Sequence, residues 1–319
     1  MLAQNRSSND IADLLGREVS TISRELSAGG GNKYTYRAGR AQRRAIRNAR
    51  KRKANKHRID INLKLKRYIH KKLRLKWSPV QIAKELFRDY PLNMAMRIAP
   101  ETIYAYLYVL PRGALKKELL ACLRQNRKRR HKQSRGVEMA RRIEDLLSIE
   151  ERPKEVEDRI IPGHWEGDLI MGKNNRSALG SLVERTTRTT ILVPLKSKRA
   201  DEVARAFAKE AKKLPQQMRL TLTYDQGCEM AKHKLFTKLT GIKVYFAHPR
   251  SPWERGTNEN TNGLIRQFFP KGTDFKKVSR TEIKRAQNLL NGRPRKALGF
   301  QKPYEVFNQL INQRCCVRS

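Results

Sequence analysis

Asp168, Asp225 and Glu259 occupy the sequence contexts that a two-metal phosphoryl-transfer site needs. Asp168 lies in GHWEGDLIMG, near the start of an apolar, strand-like run. Asp225 ends the run LTLTYD, and Glu259 sits in SPWERGTNENTNGLIRQ, which reads as a helix. Two strand-end aspartates and one helix glutamate can converge on hard divalent cations, which take oxygen ligands. Ser251-Pro252-Trp253-Glu254 reads as a capping box with proline at the first helical position. Its phase predicts Arg255, Glu259, Asn262, Gly263 and Arg266 on one helix face. A carboxylate flanked by amides and guanidinium groups suits a metal beside a phosphate backbone, and Gly263 leaves room for close approach. The chain has 30 acidic residues, so three of them carry weight only through this placement. The plain alternative is a solvated surface helix.

The charge of the whole chain points to a polyanion. The formal net charge is +41 over 319 residues, and residues 1–150 alone hold 37 Lys/Arg against 13 Asp/Glu. Each neutralised phosphate releases counterions, so such a surplus favours nucleic acid. A membrane is the competing polyanion, but no apolar run approaches the 18 or more residues of a spanning helix, and no signal peptide is evident. Cys122, Cys228, Cys315 and Cys316 form no CxxC pair and do not fall at zinc-finger spacing with the six histidines. A reduced, cytoplasmic, nucleoid-associated protein without structural zinc is expected.

The elements that must position the site fall into two regions. In residues 8–27, Ile11, Ala12, Leu14 and Leu15 share a helical face, Gly16 breaks the run, and Ser20 reads as the N-cap of a second helix with Ile22 and Leu26 buried. This is helix-turn-helix spacing, in which Thr21, Ser23 and Arg24 face a DNA groove and Arg17 meets phosphate. An ordinary helical hairpin is the alternative. Residues 37–76 carry 18 Lys/Arg and one acid, Asp60. The first half of that stretch reads as a basic arm, disordered or helical only on DNA. Residues 77–108 repeat the first theme with Ser78 capping, Pro79 following, apolar residues Val80, Ile82, Ala83, Leu86 and Phe87, and a second helix opened by Pro100. Residues 113–155 read as a basic helical linker with RKRRHK at 127–132.

From about residue 156 the pattern changes. Strand-like runs at 167–172, 178–185, 189–195, 219–225 and 242–247 are interrupted by predicted helices at 199–213 and 229–240. Short turns join the first three runs, which predicts antiparallel pairing; the helix-linked runs predict parallel addition. The fold class expected is multidomain: all-α helix-turn-helix modules at 1–30 and 77–112, then an α/β core over 156–319 with a mixed sheet and a C-terminal helical tail.

The stretches GHWEGD, LVERTTR, TYDQGCEM, VYFAHPRSPWERGTNENTNGLIRQFFPKGT and LNGRPRKALGFQKPYEVF closely resemble the IS-thirty family of insertion-sequence transposases. That family lies within the DDE transposase/integrase group, with a ribonuclease-H-like core. The resemblance is most specific from 163 to 307. It carries the acidic triad onto Asp168, Asp225 and Glu259, with 33 residues between the last two. Two departures stand out. The family has a further helix before the first pair, whereas this chain opens on MLAQNRSS, which predicts lost packing partners for Ile11, Leu15 and Ile22. Ala99-Pro100 also replaces a polar cap before ETIY.

The resemblance implies DNA transposition. Two Mg²⁺ ions (Mn²⁺ can substitute) would be held by the triad, with Asp168 bridging both. Double-stranded DNA at the element's terminal inverted repeats and at the target would be the partner, bound by a homo-oligomer, and Arg255, Asn260 and Arg266 would contact it near the triad. A retroviral-type integrase is disfavoured because no His/Cys zinc module precedes Asp168. A ribonuclease H is disfavoured by the two upstream DNA-binding modules. A non-catalytic repressor or decayed copy is the remaining alternative.

Overall fold

The computed structural model describes residues 6–29, 34–111, 113–124, 145–249 and 251–316. The basic cluster at 127–132 lies outside them. The chain forms two compact units, residues 1–67 with 101–110, and residues 68–100 with 111–319.

The first unit is helical. Helix α1 (Ser8–Leu15) starts at a Ser7–Asp10 capping box and stops at Gly16, whose left-handed backbone (φ 58°) needs glycine's freedom. Helix α2 (Val19–Gly29) packs against α1 and against helix α3 (Ala38–Ile61). Two expectations are corrected here. Ser20 lies inside α2 rather than capping it, because the turn that starts the helix closes earlier, at Glu18. Of the expected apolar face of α1, Ile11 and Ala12 are buried, Ile11 despite the loss of packing expected for it, while Leu14 is 54% exposed and Leu15 50%, the latter in line with that expected loss. The first half of residues 37–76, expected as a basic arm disordered or helical only on DNA, lies within one helix over 38–61. Its Ala, Arg, Lys and Gln content is strongly helix-favouring. Burial of Ala41 and Ile59 anchors the helix, and Arg44 pairs with Glu25 at 3.2 Å. Helix α4 (Leu63–Arg74) follows and straddles the division between units.

The second unit opens with helix α5 (Pro79–Asp89), capped as expected by Ser78 with Gln81 and with Pro79 at its first position. Ile82 and Leu86 are buried; Phe87 is exposed, with the Arg97 guanidinium over its ring. Helix α6 (Pro100–Val109) belongs almost wholly to the first unit, where it buries Ile103, Tyr106 and Leu107. Helix α7 (Ala114–Ala121) lies in the second. The expected helical linker is otherwise corrected by strand β1 (Leu147–Ser148) and the short helix α8 (Glu155–Asp158). A two-residue strand has no periodicity to read.

The core sheet contains β2 (His164–Met171), β3 (Ala178–Glu184), β4 (Thr190–Pro194), β5 (Thr221–Tyr224) and β6 (Lys243–Phe246). The strand order is β1-β6-β5-β2-β3-β4. β2–β3 and β3–β4 are antiparallel, while β2–β5, β5–β6 and β1–β6 are parallel. The mixed sheet and its direction changes are those expected from connection length.

Helices cover both faces. On one side α9 (Ala200–Ala211) buries Val203, Ala204, Phe207, Ala208 and Ala211, and α10 (His233–Thr240) adds Phe236, against Trp165, Leu169, Leu182 and Leu222. On the other, α11 (Gly256–Ile265) and α12 (Arg280–Asn291) close over Ile170, Leu179 and Leu192. The edge strand β4 is shielded by amides of α12: Asn291 exchanges two 2.8 Å hydrogen bonds with the Thr190 backbone, and Gln287 accepts from Leu192 N at 3.0 Å. Helix α13 (Pro303–Cys316) closes the described chain. Lys302, just before it, lies 2.7 Å from the buried Glu85 of α5. No helix among the described residues is long and apolar enough to cross a membrane.

Gly167, beside Asp168 on β2, has no room for a side chain. A Cβ there would lie 2.7 Å from Tyr224 Cδ2 and 3.2 Å from Leu222 Cδ1. Gly167→Ala is expected to cost about 1–3 kcal/mol, read as a lower midpoint in urea unfolding, because overpacking forces a ring or strand shift. An unchanged midpoint would show that the Tyr224 ring yields freely.

Candidate active site

Strand alternation decides which face Asp168 serves. Leu169 and Ile170 go into opposite cores, so Asp168 shares the α11 face with Ile170 and Glu166. It is the fifth residue of β2, mid-strand rather than near the strand start as its sequence context suggested. Asp225 follows directly on the last residue of β5. Parallel pairing sets Glu166 opposite Thr223, and two residues further along each strand stand Asp168 and Asp225. Their proximity is therefore a consequence of sheet register.

One cation joins them. Arg255 Nη2 donates to Asp225 Oδ2 at 2.9 Å, and its Nη1 lies 3.8 Å from Asp168 Oδ1 while donating to Gly167 O at 3.1 Å. Asn262 Nδ2 donates to Asp168 Oδ2 at 2.6 Å, and Leu169 N donates to Oδ1 at 2.9 Å. Gly227 N donates to Asp225 Oδ1 at 3.2 Å. Ser181, opposite Asp168 on β3, donates towards Asn258 Oδ1 and Asn262 Oδ1, each at 3.2 Å. The site thus holds Asp168 through α11 and Asp225 through its own turn.

The helix start differs from expectation. Ser251 makes no side-chain cap; residues 252–255 form a 3-10 turn and α11 begins at Gly256. Glu254 instead accepts from His248 N and from His248 Nδ1, both at 2.8 Å. The role of cap passes to Glu166, fully buried on β2, which accepts from Asn258 N in the first turn of α11 at 2.8 Å. Three of the five residues of the predicted stripe face β2, through Arg255 on Gly167 O, Asn262 on Asp168 and Arg266 on Met171 O at 2.7 Å, whereas Gly263 faces Arg124. Burial lowers the pKa of Arg266.

Glu259 is exposed, one turn beyond Arg255, and makes no hydrogen bond or ion pair among the described residues. Among those residues no three His, Cys, Asp or Glu side chains gather as a finished metal-ligand set. The donor chemistry nevertheless suits a hard divalent ion. All three groups are carboxylates, and two of them already share one positive charge.

The other candidates are dispersed. Asn260 accepts from Arg124 Nη2 at 2.8 Å. Arg17, Thr21, Ser23 and Arg24 lie exposed on the first unit. Sequence reasoning missed Glu166, Ser181, Asn258 and Tyr224. The hydroxyl of Tyr224 is buried without a hydrogen-bond partner among the described residues. Glu166 lay two residues from Asp168 on the same strand face, which was the available signal.

Burial pushes the Asp168 carboxyl up to about 6; Arg255 draws it down, and the charge of Asp225 pushes it up again. A folded-state value above the unfolded one of about 3.9 favours the neutral form in the fold. That contribution is complete below pH about 4 and is lost as pH rises through about 6. Asp168→Asn is therefore expected to be more stable than the parent at pH 8 by about 1–2 kcal/mol, less than the full shift because a quarter of the side chain reaches water. The gain should vanish near pH 4 in urea titrations. A less stable variant at pH 8 would mean that pairing with Arg255 outweighs burial.

The integrase core domain family matches residues 159–252, a span holding Asp168 and Asp225 and ending before Glu259. The transposase for insertion sequence element IS1086 of Cupriavidus metallidurans is 43% identical over 97% of this chain and 91% of its own. Transposase InsI for insertion sequence element IS30A of Escherichia coli is 42% identical over 97% of this chain and 80% of its own. The transposase for insertion sequence element IS4351 of Bacteroides fragilis is 38% identical over 98% and 93%. Identity of this extent runs through the helical N-terminal region as well as the ribonuclease-H-like integrase core, and the chain belongs to the IS-thirty family of insertion-sequence transposases.

Proposed function

We propose that this transposase works by the DDE scheme: it binds the terminal inverted repeats of its element, cleaves the DNA with divalent cations and joins the freed 3′ ends to target DNA. The observation that carries this reading is the convergence of Asp168 and Asp225, from adjacent strands, on the single cationic group of Arg255. Asp168, Asp225 and Glu259, the last one turn beyond Arg255, would hold the divalent ions through oxygen donors alone. Bound there, the ions supply activation of the attacking oxygen and charge relief at the leaving oxygen.

The chain's own residues do the positioning. Asn262 and Leu169 N–H orient the Asp168 carboxylate, and Gly227 N–H orients that of Asp225. Arg255 balances both negative charges and ties the start of α11 to β2. Water or a DNA 3′-hydroxyl serves as nucleophile, so no protein side chain need attack. Arg17, Thr21, Ser23 and Arg24, exposed around the α1–α2 pair, are the proposed contacts to the repeats; Arg255 beside the two aspartates, Arg266 on the same helix side and Asn260 on the opposite side of α11 are the proposed contacts nearer the core. A homo-oligomer would bring two DNA ends together.

The test uses the full chain and a labelled duplex carrying the DNA that flanks the gene, with Mg²⁺, with Ca²⁺ and without metal. Mg²⁺-dependent nicking and strand joining are expected. Duplex that is retarded but uncut in every condition would make this a binding protein and sink the enzymatic reading.

A further inference from the structure

The motif LNGRPRKALGF takes no part in the carboxylate site, yet it builds a cavity in the second unit. The space is about 680 Å³ and is lined by Arg124, Arg159, Arg188, Arg293, Arg295 and Lys296, with no acidic side chain among the described residues of its walls. Arg293 and Arg295 are deeply buried, 2% and 8% exposed. Their partners are neutral. Arg293 donates to the side-chain oxygens of Gln81 and Gln267 at 2.9 and 2.6 Å, and Arg295 donates to Leu290 O at 3.1 Å. Arg188 donates to Thr257 Oγ1 at 2.6 Å. The Nε atoms of Arg188 and Arg295 are buried with no hydrogen-bond partner among the described residues.

Buried guanidinium groups without a counter-charge are costly, and the strain is visible here. Burial and mutual repulsion draw Arg293 down to about 9 and Arg295 to about 10. Among the described residues none of the six cations makes an ion pair: Glu166 and Glu184 attract Arg188 from beyond ion-pair distance, and no described carboxylate offsets the burial of Arg293 and Arg295. Planar guanidinium forks match phosphate oxygens in pairs, which a carboxylate-free cluster of arginines suits better than any other ligand.

We propose that this cavity seats backbone phosphates of the DNA substrate. The inference rests on the reading of the chain as a DNA-acting transposase. Two observations favour DNA over a free anion: six cations exceed the charge of one small phosphate, and the volume admits a stretch of sugar-phosphate backbone rather than a single ion. Its placement is also apt. Gly256, Thr257, Asn260, Thr261 and Leu264 of α11 line it, whereas Arg255, Asn262 and Arg266 face β2. Glu259 lies between those two faces by helical phase. One helix therefore separates the phosphate seat from the candidate catalytic carboxylates and indexes the strand against them.

The test measures duplex affinity of the full chain against salt, from about 50 to 200 mM. The parent is compared with Arg124→Gln/Lys296→Gln, which removes two cations at the cavity, and with Arg124→Lys/Lys296→Arg, which keeps them. The neutralised variant should lose about 2 from the slope of log affinity against log salt, roughly 0.9 per phosphate contact. The charge-keeping variant should retain the parental slope. As a check independent of protein folding, neutral methylphosphonate linkages placed one at a time in the duplex should weaken the parent at one or two positions and leave the neutralised variant indifferent there.

A parental slope in the neutralised variant would overturn the proposal while leaving DNA binding intact. Inorganic pyrophosphate raising the parent's melting temperature, with no change in duplex slope between variants, would make this a small-anion site and also overturn it. Absence of any duplex binding by the parent would overturn both this proposal and the transposase mechanism.

Discussion

Asp225→Asn is expected to lower Mg²⁺-dependent nicking by at least ~10³-fold, the scale on which removal of a single preorganised catalytic group acts, while duplex affinity stays within about twofold of the parent. The substitution is nearly isosteric. The amide oxygen can still accept from Gly227 N, so the turn after β5 should hold. What it loses is the negative charge that meets Arg255 at 2.9 Å and would meet a divalent ion. Asp225 sits at the solvent side of the site, 39% exposed, so neutralising it leaves no buried charge stranded apart from Arg255, which keeps Gly167 O and Asp168. Gel-based cleavage and retardation on the same duplex separate the two effects. If binding falls with cleavage, Asp225 is structural and the DDE scheme loses its second member.

Glu166→Ala should produce the largest loss of stability, about 3–5 kcal/mol, because truncating one member of a buried ionic arrangement strands the rest. Glu166 is fully buried; its Oε1 lies 3.4 Å from Arg185 Nη1 and its Oε2 caps the first turn of α11 through Asn258 N. Removing it leaves a buried guanidinium without its partner and a helix N-terminus without an acceptor. Glu166→Gln restores the acceptor but not the charge, so it should fall between parent and alanine variant. Urea unfolding of the three proteins reads this directly. Equal midpoints would show that α11 is held by its apolar face alone. The alanine variant should also lose nicking, since the first turn of α11 fixes Arg255 just before the helix and Asn262 and Glu259 within it.

Much of the core is legible in the sequence alone. Five strand runs, the two helices between them and the change from antiparallel to parallel pairing follow from hydrophobic alternation and connection length, both local properties. The Ser78 cap with Pro79 and the stop at Gly16 were equally local. Errors arose where a distant group outcompeted a near one. Ser251 and Glu254 have capping-box spacing, but His248 captures Glu254, and Glu166, 92 residues before Asn258, supplies the cap instead. Leu14 has core spacing and stays exposed, since spacing states which residues share a face, not whether anything covers it.

Residue type and order by themselves determined the polyanion preference, the carboxylate donor set, the mixed sheet and the family. Only the tertiary structure decided that Asp168 and Asp225 meet, because parallel register between β2 and β5 is a property of strands that lie 50 residues apart in the chain. It also decided that Arg255 stands between them while Glu259 remains in water, and that Arg293 and Arg295 face a shared cavity rather than solvent. Those outcomes depend on which buried charges find partners, a competition among groups far apart in sequence that no local pattern encodes.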